Sequence, residues 1–142
     1  MNSSERITYM NGDLIPESEA KVHFRDRSFK YGDGVFDMTR TFGHKIFKIE
    51  EHVERLYKSL NYLDITIDLT PKEMINISND VLQRNLHLIK KDEDYWVGQR
   101  ISRGVDRVGG EQWDLEGGPT VIVECAPLPL KPRASLYETG IK

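Results

Sequence analysis

A single cysteine, Cys125, stands among 142 residues, so the chain has neither a disulfide framework nor a multi-cysteine zinc site. The four histidines, His23, His44, His52 and His87, show no metal-ligand spacing, and no metal is expected. No apolar run approaches the ~18 residues of a membrane helix. The N-terminal MNSSERITYM lacks the apolar stretch of a signal peptide. Charge of one sign is also scarce: 20 Lys and Arg stand against 23 Asp and Glu, a net charge of -3. That argues against a basic nucleic-acid binder and against an acidic tail. The expectation is a soluble, cytoplasmic protein with neither nucleic acid nor membrane as partner. The phosphate loop G-x-x-x-x-G-K-[ST], the dinucleotide fingerprint G-x-G-x-x-G and the nucleophile elbow G-x-S-x-G are all missing.

What is present suffices for a small core: 38% hydrophobic residues, including two Trp, five Phe and six Tyr. Asn11-Gly12 between two short apolar runs reads as a type I′ hairpin turn, because both residues tolerate positive φ. Pro16 to Lys30 reads as loop with a short strand near Val22. Val35 to Phe42 alternates and favours a strand. Phe36, Met38, Arg40 and Phe42 share one face; Val35, Asp37, Thr39 and Thr41 share the other. Gly43-His44 turns the chain into a partner strand, Lys45 to Lys48.

A helix is expected from about Glu50, with Val53, Leu56, Tyr57, Leu60 and Leu63 as its buried stripe. A second begins at Thr70-Pro71-Lys72-Glu73, where Thr70 and Glu73 can form a capping box. Met74, Ile77, Val81 and Leu82 form its apolar face. Tyr95 to Ser102 and Thr120 to Ala126 read as strands around a loop bearing Gly104, Gly109, Gly110, Gly117 and Gly118. Cys125 reads as a buried, inert thiol. The expected fold is α+β, a mainly antiparallel sheet with two principal helices packed on it. Residues 1–126 form the small domain, 127–133 a linker stiffened by Pro127, Pro129 and Pro132, and 134–142 the start of a further domain.

Three places could carry chemistry. Arg55 lies opposite the apolar stripe of the first long helix. It reads either as a solvated residue paired with Glu51 or as an anion clamp, since a guanidinium fork matches phosphate. The Phe36 face, with Arg40 embedded, reads by pattern as core, with a pocket wall as the other reading. Arg103 and Arg107, beside glycines, could close over an anion or simply sit at the surface.

Taken together, DRSFKYGDGVFDMTRTFGHKIFKIEEHVERLYKSL resembles the N-terminal signature of the fold-type IV, or class IV, pyridoxal-phosphate aminotransferases. That family includes branched-chain, D-amino-acid and (R)-amine aminotransferases and aminodeoxychorismate lyases. The carrying residues are Tyr31-Gly32-Asp33-Gly34-Val35-Phe36, Arg40 and His52-Val53-Glu54-Arg55-Leu56. The resemblance implies an enzyme that moves an amino group from an amino acid or amine to a 2-oxo acid through pyridoxal 5'-phosphate. A homodimer is implied, as is a cofactor-phosphate contact from Arg55.

The resemblance also implies substrate contacts from Tyr31, Phe36, Met38, Arg40, Arg103 and Arg107. It places the Schiff-base lysine beyond residue 142, so this chain alone is expected to be inactive and Lys142 takes no such role. Val97 stands where the branched-chain branch carries an arginine. Arg107 fits a gating arginine of the amine-transaminase branch. A lyase on the same scaffold and a non-catalytic binding module are the alternatives.

Overall fold

The computed structural model describes residues 4–111 and 113–141. Lys142 therefore lies outside the described residues. The chain opens with a hairpin of β1 (Ile7–Met10) and β2 (Asp13–Pro16), turned by Asn11 and Gly12 at φ 51° and 109° as a type I′ turn requires. A short helix α1 (Arg27–Tyr31) leads into β3 (Gly34–Phe42), which turns through Gly43-His44 into β4 (Lys45–Ile46). The two long helices are α2 (Ile49–Tyr62) and α3 (Pro71–Asn85). Then come β5 (Tyr95–Ser102), a small hairpin of β6 (Val105–Asp106) and β7 (Leu115–Glu116), and β8 (Thr120–Pro127). Two short helices, α4 (Leu130–Arg133) and α5 (Leu136–Thr139), end the described chain.

Six strands form one antiparallel sheet in the order β2-β1-β8-β5-β3-β4. Helices α2 and α3 pack on a single face of it. Val53, Leu56 and Leu60 of α2, with Met74, Val81 and Leu82 of α3, are buried against Val97, Ile101, Val121 and Val123 of the sheet. The α+β expectation therefore holds. The capping box on α3 forms as read: Thr70 N donates to Glu73 Oε2 at 2.7 Å and Glu73 N to Thr70 Oγ1 at 3.3 Å. Asn85 at the other end of α3 ties it to the hairpin, accepting from Ile7 N and donating to Ile7 O, both at 2.8 Å. Cys125 is buried as expected, and burial pushes its thiol up to about 12.

Three expectations are corrected. The Phe36, Met38, Arg40 and Phe42 face of β3 is not core; it points away from the helices, leaving Phe36 67% exposed. The face that is buried carries Asp37, Thr39 and Thr41. Apolarity mis-sorts the strand because each buried polar group has a partner. Thr39 Oγ1 donates to Phe47 O at 2.7 Å, Thr41 Oγ1 to Asp94 Oδ1 at 2.6 Å, and Asp37 receives donors from α2.

Secondly, no strand forms near Val22. The segment instead carries a 3-10 turn at Glu17–Glu19 and then α1. Asp26 caps α1 by accepting from Ser28 N at 2.8 Å, and Gly32 ends it at φ 69°. Thirdly, the glycine-rich loop contains the β6–β7 hairpin.

Candidate functional site

The outward face of β3 and the exposed side of α2 meet around Val35, which lines two neighbouring clefts. One, of about 430 Å³, is walled by Arg55, Lys58, Ser59, Tyr62 and Leu63. The other, of about 340 Å³, runs along Phe36 between α1 and the ends of β5 and β8, with Val22, Arg100, Ile101 and Ile122 among its walls.

Arg55 is fixed chiefly by β3. Its Nε donates to Asp37 Oδ2 at 2.7 Å and its Nη2 to Asp37 Oδ1 at 2.9 Å. Glu51, the alternative partner, pairs with Lys48 instead, at 3.2 Å. His52, one turn before Arg55, donates from Nδ1 to Asp37 Oδ1 at 2.6 Å. The Asp37 side chain is only 3% exposed, whereas that of Arg55 is 66% exposed. Burial alone would push the Asp37 carboxyl up. Hydrogen bonds and positive charge from Arg55 and His52 outweigh it and hold the group below its ordinary value.

A buried, ionised carboxylate thus clamps one edge of the guanidinium. The Nη1 group of Arg55 has no hydrogen-bond partner among the described residues. Lys58, one turn on, is bonded to Glu54 at 2.7 Å, and both side chains are exposed. The free edge of Arg55 and the Lys58 ammonium are donors that suit a phosphate monoester, while the Ser59 hydroxyl beside them donates to Arg55 O at 3.1 Å.

Phe36 and Met38 lie side by side on the outer face of β3. Tyr31, the last residue of α1, is exposed between two cations, with Arg27 at 5.1 Å and Lys30 at 4.8 Å from its ring. An ionic network holds this corner. Arg27 bonds Asp33 at 2.8 Å and Asp106 at 3.0 Å, and Lys30 bonds Asp106.

Arg40 sits four residues further along the strand, about 13 Å from Phe36. Its guanidinium lies 3.9 Å from the Phe42 ring, and its Nε donates to Thr41 O at 3.0 Å. Arg103 bonds Asp33 at 2.8 and 3.1 Å and the carbonyls of Leu63 and Asp64 at 2.8 and 3.0 Å, bracing the end of α2. It lines a separate cleft beside Trp113. Arg107 is exposed just after β6, held through its backbone N to Asp114 O at 3.0 Å. The structure therefore brings Phe36 and Arg55 to the two clefts that share Val35. Met38 follows Phe36 on the same strand face, and neither it nor Tyr31 of α1 lines either cleft; Arg40, Arg103 and Arg107 stand apart from that junction.

Sequence reasoning overlooked two kinds of residue here. Asp37 and His52 form the support of Arg55. Their signal is an acidic residue at an inward strand position together with His and Arg three apart on one helix face. Asp26 is the other omission. Fully buried, it accepts from Ser28, Ser102 and Thr120 hydroxyls at 2.6, 2.9 and 2.7 Å, joining α1 to β5 and β8.

The model of the amino-transferase class IV family matches residues 34–135. A protein of Methanocaldococcus jannaschii assigned as a branched-chain-amino-acid aminotransferase is 35% identical over 134 residues, 94% of this chain and 43% of that protein. The crystal structure of the Escherichia coli branched-chain amino-acid aminotransferase superposes with a TM-score of 0.75 at 21% identity, over 92% of this chain and 43% of that one. A hypothetical aminotransferase from Mycobacterium tuberculosis in its PLP-bound form superposes with a TM-score of 0.73 at 20% identity, over the same shares of the two chains. This chain thus spans less than half the length of the proteins it matches. The match over most of its length carries the conclusion that the chain belongs to the class IV aminotransferases.

Proposed function

We propose that this chain is the small domain of a two-domain pyridoxal-phosphate aminotransferase, transferring an amino group from an apolar, branched-chain-type amino acid to a 2-oxo acid. The observation that carries the reading is the junction at Val35, where a cleft walled by Arg55 and Lys58 and a mainly apolar cleft share one wall. The name of the Methanocaldococcus jannaschii relative supports the donor class, and the PLP-bound form of the Mycobacterium tuberculosis protein supports the cofactor.

The donor set fits the cofactor's phosphate. Arg55 would hold it through its free edge, with Lys58 and Ser59 beside it, while Asp37 and His52 keep the guanidinium from swinging. When bound, the cofactor supplies the electron sink for moving a proton at the substrate carbon. Phe36 and Met38 bound the substrate side and exclude water from it. Tyr31 stands near the mouth, fixed between Arg27 and Lys30. Arg40, Arg103 and Arg107 act from further out in this reading, Arg107 as the exposed cation on a loop that can close. The catalytic lysine belongs to the second domain. The enzyme works in the cytoplasm as a homodimer.

The test is chromatography of the full enzyme's products after incubation with leucine or valine and a 2-oxo acid. Formation of the new amino acid and the matching branched 2-oxo acid is expected. Turnover of aminodeoxychorismate without transamination would overturn the reading in favour of a lyase.

A further inference from the structure

The loop that carries Arg107 starts against the segment that leads into α1. Arg27 N donates to Gly104 O at 2.9 Å and Asp106 N to Arg25 O at 3.0 Å, and Asp26 pairs with Val105 as an isolated antiparallel bridge. The stem of the loop is pinched at this point. Gly104, at φ 118°, passes so close to Gly118 that a Cβ on it would lie 2.6 Å from Gly118 O. The backbone therefore sets Asp106 beside α1, one residue before Arg107.

The Asp106 side chain adds two further ties. Its Oδ1 accepts from Arg27 Nη1 at 3.0 Å and its Oδ2 from Lys30 Nζ. The carboxylate is 15% exposed, and the hydrogen bond from Lys30, joined by that from Arg27, holds it below its ordinary value. The same two cations flank the Tyr31 ring, Arg27 at 5.1 Å and Lys30 at 4.8 Å from its centre. They do not depend equally on Asp106. Arg27 is also bonded to Asp33 at 2.8 Å, and Arg103 bonds Asp33 in turn. Lys30 bonds no other carboxylate among the described residues. Loss of the Asp106 charge thus leaves Arg27 in place and releases Lys30 from its side of the ring.

We infer that Asp106 is a positioning residue: it holds Lys30 against Tyr31 and so couples the ring near the mouth of the substrate cleft to the loop bearing Arg107. This assignment rests on the proposed aminotransferase reading, in which Tyr31 stands near the mouth and the Arg107 loop can close. A shift of the loop then moves the ring, and a substrate held at the ring steadies the loop in turn.

Steady-state kinetics and hydrogen exchange on the full enzyme test the assignment. Asp106→Asn should raise KM for leucine about two- to fivefold, the scale of a partly exposed ion pair, and lower kcat less. Lys30→Met should act alike, and the double variant should be no worse than either single one. In a Tyr31→Ala background, Asp106→Asn should leave KM where Tyr31→Ala puts it. An effect of equal size with and without Tyr31, or one confined to the melting temperature, would overturn the assignment. Hydrogen exchange reads the coupling without turnover: Asp106→Asn should speed exchange in residues 28–32 and 105–108 together. Faster exchange in 105–108 alone would overturn the coupling. An enzyme in which both segments loosen together yet no amino group is transferred would overturn the aminotransferase reading and leave the coupling standing.

Discussion

Asp37 has a larger part than its size implies. It is buried, ionised and bonded to two side chains of α2, so it joins strand to helix and fixes Arg55 in one orientation. Its carboxyl sits below its ordinary value in the folded chain. The stability it contributes is therefore full above the unfolded carboxylate pKa of about 3.9 and is lost as pH falls through the lower, folded value. Urea unfolding of the chain should show Asp37→Asn costing about 1–3 kcal/mol at neutral pH, the scale of charged hydrogen bonds removed. The gap should begin to narrow below about pH 4, where Asp37 of the unfolded chain takes up a proton, and close only below the lower, folded value. A gap that stays constant down to pH 2 would assign the cost to packing and not to charge. Arg55 was legible in the sequence as a candidate clamp because its helical position opposes the apolar stripe. Asp37 was not, since its partners lie 15 and 18 positions away and local alternation carries no trace of them.

Among the elements, the long ones could be read from periodicity and capping: α2 from its stripe, α3 from its capping box, β5 and β8 from their β-branched runs. The short ones could not. Helix α1 has five residues and too few apolar positions for a period to show, and its evidence is confined to its ends, Asp26 and Gly32. The orientation of β3 was also hidden. Hydrogen bonding offsets the burial of Asp37, Thr39 and Thr41, and that offset comes from elements distant in the chain.

The start of β3 packs tightly against β5. A Cβ on Gly34 would come within 2.7 Å of Ile101 O and 3.2 Å of Ser102 Cα, both backbone atoms of β5. Gly34→Ala should therefore push β3 off β5 at the site end and lower stability by about 1–3 kcal/mol, measured by thermal melting. An unchanged melting temperature would show that the two strands are not held at this spacing.

At the scale of the whole molecule, one layer of helices covers one face of the sheet and leaves the other bearing Phe36, Phe42, Arg40 and Arg100. The inner face supplies the core and, through Asp37, the support of Arg55. The outer face supplies the aromatic wall. The proposed aminotransferase reading uses both, and the two clefts share Val35. The most direct measurement is the affinity of the full enzyme, as wild type and as Arg55→Ala, for pyridoxal phosphate and for pyridoxal, which lacks the phosphate. The account predicts that Arg55→Ala weakens pyridoxal phosphate about ten- to hundredfold and leaves pyridoxal unaffected, the loss of a charged contact confined to the phosphate. Equal weakening of both, or of neither, would contradict it.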